Sequence, residues 1–321
     1  MKILVTGGAG FIGSHLCERL ISDGNTVTAI DNFSTGRASN LASFAESRNS
    51  TIVEGSILDT NILAPLIKNS DYVFHLAAAV GVFNIVNNPL ASLLTNIRGT
   101  ENVLEVAHTS NTSVFLTSSS EVYGKNISDS LKESDDRILG TPVTLRWSYS
   151  EAKAIDESLA YAYFVEKQLE TRIVRFFNTV GPRQLGAYGM VVPRFVKAAL
   201  SNEPITIYGD GNQTRCFAHV YDVIDAVMAI AFADNTIGKV VNIGNNFEIS
   251  INDLAKKIID ETGSKSEVTY VPYAEAYGDG FEDMERRVPN IDLINQLVGW
   301  KPKRDLSTMI ADIASEMQKG S

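Results

Sequence analysis

The chain has 321 residues, 44% hydrophobic and 21% charged, which is enough apolar content for a substantial core and more length than one ordinary domain needs. Its formal net charge of −10 argues against nucleic acid or an anionic membrane as partner, because binding phosphates at a surface requires cationic charge. Cys17 and Cys216, the two cysteines, supply neither a disulfide framework nor a metal set, which suits a reducing cytoplasm.

The opening "MKILVTGG" enters a strand almost at once, so no signal peptide is expected. Short apolar, β-branched runs predict strands at Lys2–Thr6, Thr26–Ile30, Thr51–Glu54, Asp71–Leu76, Val114–Thr117 and Arg172–Phe176. Helical periodicity lies between them, at Ile12–Ser22, Asn61–Ile67, Ala91–Ala107 and Tyr149–Lys167. Continuous apolar strands alternating with helices imply a parallel sheet covered on both faces. The uncharged run from Tyr72 to Ile97 is long, but His75, Asn84, Asn87, Asn88, Pro89 and Asn96 would be costly in hydrocarbon, so no membrane span is expected.

After Gly181 the texture changes, with glycine, proline and arginine frequent in "GPRQLGAYGMVVPR" and "IYGDGNQTR". Residues 1–180 are expected to form a nucleotide-binding unit. Residues 181–321 are expected to form a smaller substrate lobe whose segments return to pack on the first, "FAHVYDVIDAVMAIAFA" among them. Later helices are predicted at Ile251–Thr262, where Ser250 and Asp253 have capping-box spacing, and at Leu306–Met317.

"ILVTGGAGFIG" places Gly7, Gly10 and Gly13 after a predicted strand and before an amphipathic helix. Backbone lacking Cβ atoms approaches a pyrophosphate closely, and a helix N-terminus favours its charge. The next strand ends in Asp31, an acceptor for adenosine ribose hydroxyls. A 2′-phosphate would be repelled there, so NAD is favoured over NADP despite Arg37 nearby. These features imply an α/β fold of the Rossmann type, a doubly wound parallel sheet.

Glu121 stands out in "FLTSSSEVYG", where an apolar run ends in small hydroxyls and one carboxylate. "RWSYSEAK" then supplies Tyr149 and Lys153, four apart on one helix face. A phenol near its ordinary pKa of ~10 is a poor base at neutral pH. A lysine ammonium and an oxidised nicotinamide would both favour phenolate. In an acidic chain, Arg183, Arg194, Arg215, Arg286 and Arg287 gather in the second half, where their planar donor forks suit phosphate or carboxylate oxygens. The alternative for some of them is surface pairing with Glu282, Asp283 and Glu285. His108 and His219 have no partners at metal spacing, so no metal is expected. His75 is expected to order the backbone.

Taken together, "TGGAGFIG", "DNFSTGR", "HLAA", "SSSEVYG", "YSEAK", "RFFNTVGPR", "VVPRFV", "YGDGNQTR" and "RRVPN" resemble the extended short-chain dehydrogenase/reductase family of NAD-dependent nucleotide-sugar epimerases, dehydratases and decarboxylases. The resemblance spans essentially the whole chain. It implies that the sugar is oxidised at carbon 4, that the ketone is exploited, and that the hydride is usually returned. Tyr149 would be the general base, Lys153 would bind the nicotinamide ribose, and Ser119 would share a hydrogen bond with the sugar hydroxyl. Further cofactor contacts are implied for Phe11, Ile12, Asn32, Ser34, Ser56, Ile57, Leu76, Ala77, Ala78, Asn96 and Thr117. Ser56 stands where an aspartate often meets the adenine amine.

For the substrate, the resemblance implies that Asn178, Arg215 and one of Arg286 or Arg287 hold a diphosphate, with Arg183 a further candidate substrate contact. Val191, Val192, Arg194 and Tyr208 would enclose uracil. Ser120 occupies the place of the acid that 4,6-dehydratases use. A 4-epimerase has no evident use for Glu121, and Leu185 replaces the second arginine sought after "GPRQ" in bacterial glucuronate epimerases. A glucuronate decarboxylase is most similar, with Glu121, Ser120 and Arg287 handling the substrate carboxylate and a proton; a carboxylate brought beside Glu121 would raise a pKa, and the alternative for Glu121 is a loop acid paired with Arg or Lys. Two departures are the absence of a tyrosine from "AAVGVFNIVNNP" and the presence of Asn290 after Pro289. A UDP-sugar substrate and a homodimer are the expected partners.

Overall fold

Side chains alternate across a strand, and in Lys2–Thr6 the alternation divides two buried sets: Ile3 and Val5 join one core cluster, Leu4 another. A strand buried on both faces belongs in the middle of a covered parallel sheet. The computed structural model describes residues 1–81, 85, 87–186, 190–277, 284 and 286–319, and builds that sheet. Its strands are β1 (Lys2–Thr6), β2 (Thr26–Asp31), β3 (Ser50–Glu54), β4 (Tyr72–His75), β5 (Ser113–Ser119), β6 (Thr171–Phe176) and β7 (Val240–Ile243). They run in the order β7-β6-β5-β4-β1-β2-β3, and every neighbouring pair is parallel.

The helices, in chain order, are α1 (Phe11–Ser22), α2 (Thr60–Lys68), α3 (Pro89–Ser110), α4 (Ser148–Lys167), α5 (Val191–Leu200), α6 (Val220–Ala231), α7 (Ile251–Thr262), α8 (Asp292–Val298) and α9 (Leu306–Lys319). Leu16 and Leu20 of α1, Val223 and Val227 of α6 and Ile294 of α8 cover one face of the sheet. Leu63 of α2, Val103 and Leu104 of α3 and Ala160 of α4 cover the other. A separate core joins Phe195 of α5, Ile205 and Ile207 of a short strand, Leu254 and Ile258 of α7, and Met309 and Ile313 of α9. Ser250 caps α7 by accepting from the Asp253 amide at 3.0 Å, as its spacing predicts.

The predicted strands and helices all form, with ends displaced by at most three residues. Strand β7, by contrast, is absent from the sequence reading. "VVNI" is four residues long and carries no alternation, and it becomes a strand because the edge of β6 is there to pair with it. Together with α6 and α8 it returns from the second half of the chain to the first sheet.

The polypeptide runs outward from β1 to β3 and then recrosses to lay β4 on the other side of β1. A crevice opens at the carboxyl ends of the strands where the order reverses. Beside it, a buried polar network fixes the turn that follows β5. Arg175 of β6 grips both oxygens of Glu157 at 2.9 and 2.7 Å and donates to the Tyr123 hydroxyl at 2.9 Å. That hydroxyl donates in turn to Asn242 of β7 at 2.8 Å. Tyr123 is thereby held from two strands, and the turn Ser120–Tyr123 presents Glu121 outward to the crevice.

Removing one member of a buried ion pair leaves the other uncompensated. Arg175→Met is therefore expected to lower unfolding free energy by about 3–5 kcal/mol. Adding Glu157→Leu should recover much of the loss, as read from urea midpoints of the single and double variants.

Candidate active site

A cavity of about 740 Å³ fills the crevice, running from the glycine turn to Arg215. At its first end, Gly7 has a φ of 73°, and a Cβ on Gly13 would lie 2.1 Å from the Gly7 carbonyl oxygen. The turn closes this tightly only without side chains. The N-cap of α1 is Gly10, which offers no capping side chain, and the first turn of the helix holds no acid. Its leading amides and its dipole are thus directed at the cavity, as an anionic pyrophosphate requires.

Asp31 ends β2 and accepts from the amides of Ala9 at 2.9 Å and Phe33 at 2.8 Å. A carboxylate has about four acceptor sites, so ribose hydroxyls still find room on it. Burial raises its pKa, and the Phe33, Ala9 and Gly10 amides pull the other way. Arg37 is exposed and is not part of the cavity lining. Asn32, Ser34, Ser56, Ile57, Leu76, Ala77, Ala78, Phe11 and Ile12 all line the same end. Asn96 does not. Its amide side chain is buried and spent on Ala79, accepting from the amide at 2.7 Å, so it fastens the loop after β4.

In the middle of the cavity, α4 brings Tyr149 and Lys153 under the end of β5. The Lys153 ammonium donates to the Thr117 carbonyl at 3.0 Å and to Asp156 at 3.1 Å. Tyr149 meets the Ser119 hydroxyl. Burial, then the charges of Glu121 and Asp156, hold the phenol above its ordinary pKa, while the Ser119 hydrogen bond works against them. His75 bonds Thr6 at 2.8 Å and Thr100 at 3.2 Å and is pushed down to about 3 by burial and by Lys153, so it stays neutral and structural.

Glu121 is the meeting point of two arginines. Arg146 reaches one of its oxygens at 2.6 Å and Arg287 the other at 2.8 Å. Arg287 also donates to Ser120 at 3.4 Å. Burial pushes the Glu121 carboxyl up, but Arg287 and Arg146 more than offset it and hold it at about 2. In this geometry Glu121 is an ionised anchor, the paired loop acid that the sequence reading held as its alternative. The sequence reading passed over Arg146, although "RWSY" places it three residues before Tyr149.

The far end of the cavity carries Asn178, Arg183, Val191, Val192, Arg194, Tyr208 and Arg215. Asn178 donates to the Cys216 carbonyl at 3.0 Å, and Arg194 stacks 4.1 Å from the Tyr208 ring centre. Arg183 pairs with Glu18 at 2.7 Å. Arg286 is a correction to the sequence expectation. It lies outside the cavity, clamped on both oxygens of Glu248 at 2.8 Å each, so of the adjacent pair only Arg287 faces the site. Glu282, Asp283 and Glu285, offered as surface partners, lie outside the described residues.

Glycine turn, acidic strand end, tyrosine–lysine helix and basic far wall define the site of a dinucleotide-dependent enzyme that acts on an anionic substrate. A family model described as GDP-mannose 4,6 dehydratase matches residues 4–313. UDP-N-acetyl-alpha-D-glucosaminuronate decarboxylase of Bacillus cytotoxicus is 39% identical over 302 residues, covering 94% of this chain and 92% of that protein. UDP-glucuronic acid decarboxylase 1 of Xenopus tropicalis is 36% identical, over 94% of this chain and 68% of that one. Among solved structures, UDP-glucuronic acid 4-epimerase from Bacillus cereus, in complex with UDP-glucuronic acid and NAD, superposes with a TM-score of 0.90 at 29% identity over the whole of both chains. The chain belongs to the extended short-chain dehydrogenase/reductase family of NAD-dependent nucleotide-sugar epimerases, dehydratases and decarboxylases.

A carboxyl depressed on folding stabilises the protein above its unfolded pKa of ~4.3, and that contribution fades as pH falls through the folded value. Wild type is expected to be more stable than Glu121→Gln at neutral pH. The gap should narrow below about pH 4.5 and close toward about pH 2, as followed by urea melts across that range.

Proposed function

We propose that the protein is an NAD-dependent decarboxylase of a UDP-hexuronate, converting UDP-glucuronate to UDP-xylose through oxidation at sugar carbon 4. The observation that carries this reading is the Glu121 cluster. Glu121 and the guanidinium forks of Arg146 and Arg287 line the cavity together beside Tyr149, and such forks suit the oxygens of a carboxylate. Such a site suits a sugar that bears a carboxylate of its own.

NAD, when bound, supplies a reversible acceptor for the carbon 4 hydride. The glycine turn and α1 hold its pyrophosphate, Asp31 its ribose, and Lys153 the nicotinamide ribose. Tyr149 takes the proton of the sugar hydroxyl, and Ser119 holds that oxygen in line. The substrate is then a β-keto acid, and carbon dioxide leaves while its bonding electrons pass to the carbon 4 oxygen. Tyr149 and Ser119 stabilise the enolate that results; carbon 5 would then take a proton from solvent, and carbon 4, on regaining its hydride, would take back the proton held by Tyr149 to complete the xylose. A carboxylate seated on Arg287 lies beside ionised Glu121, and departure of neutral carbon dioxide relieves the repulsion between the two anions. Ser120 is a poor acid, which disfavours 4,6-dehydration.

The sequence relatives that decarboxylate glucuronate and N-acetylglucosaminuronate support this assignment. Their sugars share the carbon 4 hydroxyl and the carbon 5 carboxylate that the chemistry needs. The likeness to the B. cereus structure supports 4-epimerisation of the same sugar as the second reading. The separate core of α5, α7 and α9 is read as the nucleotide-sugar lobe, and the buried free thiols of Cys17 and Cys216 fit the cytoplasm. Ile155, Tyr161 and Val165, exposed on α4, and Leu90 on α3 support pairing of two copies.

Incubation with UDP-glucuronate and, separately, with UDP-N-acetylglucosaminuronate is expected to give a product lighter by carbon dioxide in at least one case. A product of unchanged mass, inverted at carbon 4, would establish the epimerase instead. Tyr149→Phe should retain NAD and lose turnover by roughly a hundredfold or more. Glu121→Gln should retain NAD and slow product release of carbon dioxide by at least roughly tenfold.

A further inference from the structure

Lys153 is expected to favour the Tyr149 phenolate, yet its ammonium is already committed. Asp156, one turn along α4, lies 3.1 Å from it, and both side chains are almost fully buried. Asp156 is also addressed by Thr100 of α3, which bonds His75 of β4, which bonds Thr6 of β1. An ionised carboxylate only accepts, so the proton directions in this chain are set. Thr100 donates to Asp156, the His75 Nε2–H donates to Thr100, and Thr6 donates to the His75 Nδ1 while accepting from the Ala77 amide at 3.2 Å. The chain runs from the catalytic lysine to the β1–β4 crevice, directly under the cofactor end of the cavity.

We propose that Asp156 is a positioning residue that fixes the Lys153 ammonium and offsets its charge, so that Tyr149 yields its proton only beside the oxidised, cationic form of the cofactor. This rests on the oxidation step of the proposed function and is indifferent to the later fate of the ketone. The other charged groups around the pair have partners of their own: Glu121 is held by Arg146 and Arg287 and Glu157 by Arg175, while His75 is neutral. Burial, the charge of Glu121 and then that of Asp156 work against phenolate in the protein alone, which leaves the pyridinium charge to decide. Once the hydride has moved, that charge is gone and the proton stays on Tyr149, where the return of the hydride needs it.

The test is the ultraviolet tyrosinate signal of Tyr149, taken as the difference between each protein and its Tyr149→Phe counterpart and titrated with NAD or NADH bound. In wild type the midpoint should be lower with NAD than with NADH. Asp156→Asn should lower the midpoint with both forms by about one pH unit, and the acid limb of kcat/KM should move down equally. An unchanged midpoint in a variant that still melts cooperatively and binds NAD overturns the proposal. Should Asp156→Asn fail to fold, Asp156→Ser, which is smaller and still accepts from Lys153, carries the same comparison. If no nucleotide sugar turns over in wild type, the function reading fails alone, because the titration reads Asp156 without turnover.

Discussion

The ion pairs of Glu121 are the constraint on which the site depends. Glu121 lies in the turn after β5, Arg146 precedes α4, and Arg287 comes from the last described stretch before α8. Three distant segments are tied at one carboxylate, inside a cavity where water screens the charges poorly. A buried charge is tolerated only when paired, so the cluster holds these segments in one arrangement. Backbone bonds reinforce it: Leu131 donates to the Val288 carbonyl and accepts from the Asn290 amide, each at 2.8 Å. The turn carrying Glu121 is anchored from behind by Tyr123, Arg175 and Asn242.

Electrostatics then divide the cavity along its length. The cofactor end is lined by glycine backbone and a helix N-terminus, the middle by Tyr149 and Lys153 with Asp156 buried behind them, and the far end by arginines. A chain with a net charge of −10 thus presents its cations where a nucleoside diphosphate would lie. Catalysis in such a site depends on charges fixed in advance around a phenol that ionises reluctantly. The up-shifted Tyr149 and the down-shifted Glu121 sit in one burial environment and differ by their neighbours, arginines beside one and carboxylates beside the other.

Much of the framework is legible in the sequence because it is local. Alternation in "KILVT", the glycines before α1 and the four-residue step from Tyr149 to Lys153 depend on neighbours a few residues away. Strand β7 escaped because four residues without alternation carry no local signal. Asn96 was misplaced because a polar residue near a cofactor loop reads the same whether it faces the ligand or holds the loop. The adjacent Arg286 and Arg287 are indistinguishable in sequence, and only Glu248, across a separate strand, takes the first away from the site.

The sequence by itself determined six of the seven strands of the sheet, the glycine turn and the tyrosine–lysine pair on one helix face, since each is written in short-range spacing. The tertiary structure alone decided the protonation of Glu121, the addition of Arg146, the exclusion of Arg286 and the pairing of Lys153 with Asp156. Spacing put Lys153 and Asp156 on neighbouring turns, but burial made the pairing matter. The physical reason is that a carboxylate takes its charge state from the groups that surround it after folding, and those arrive from any distance along the chain.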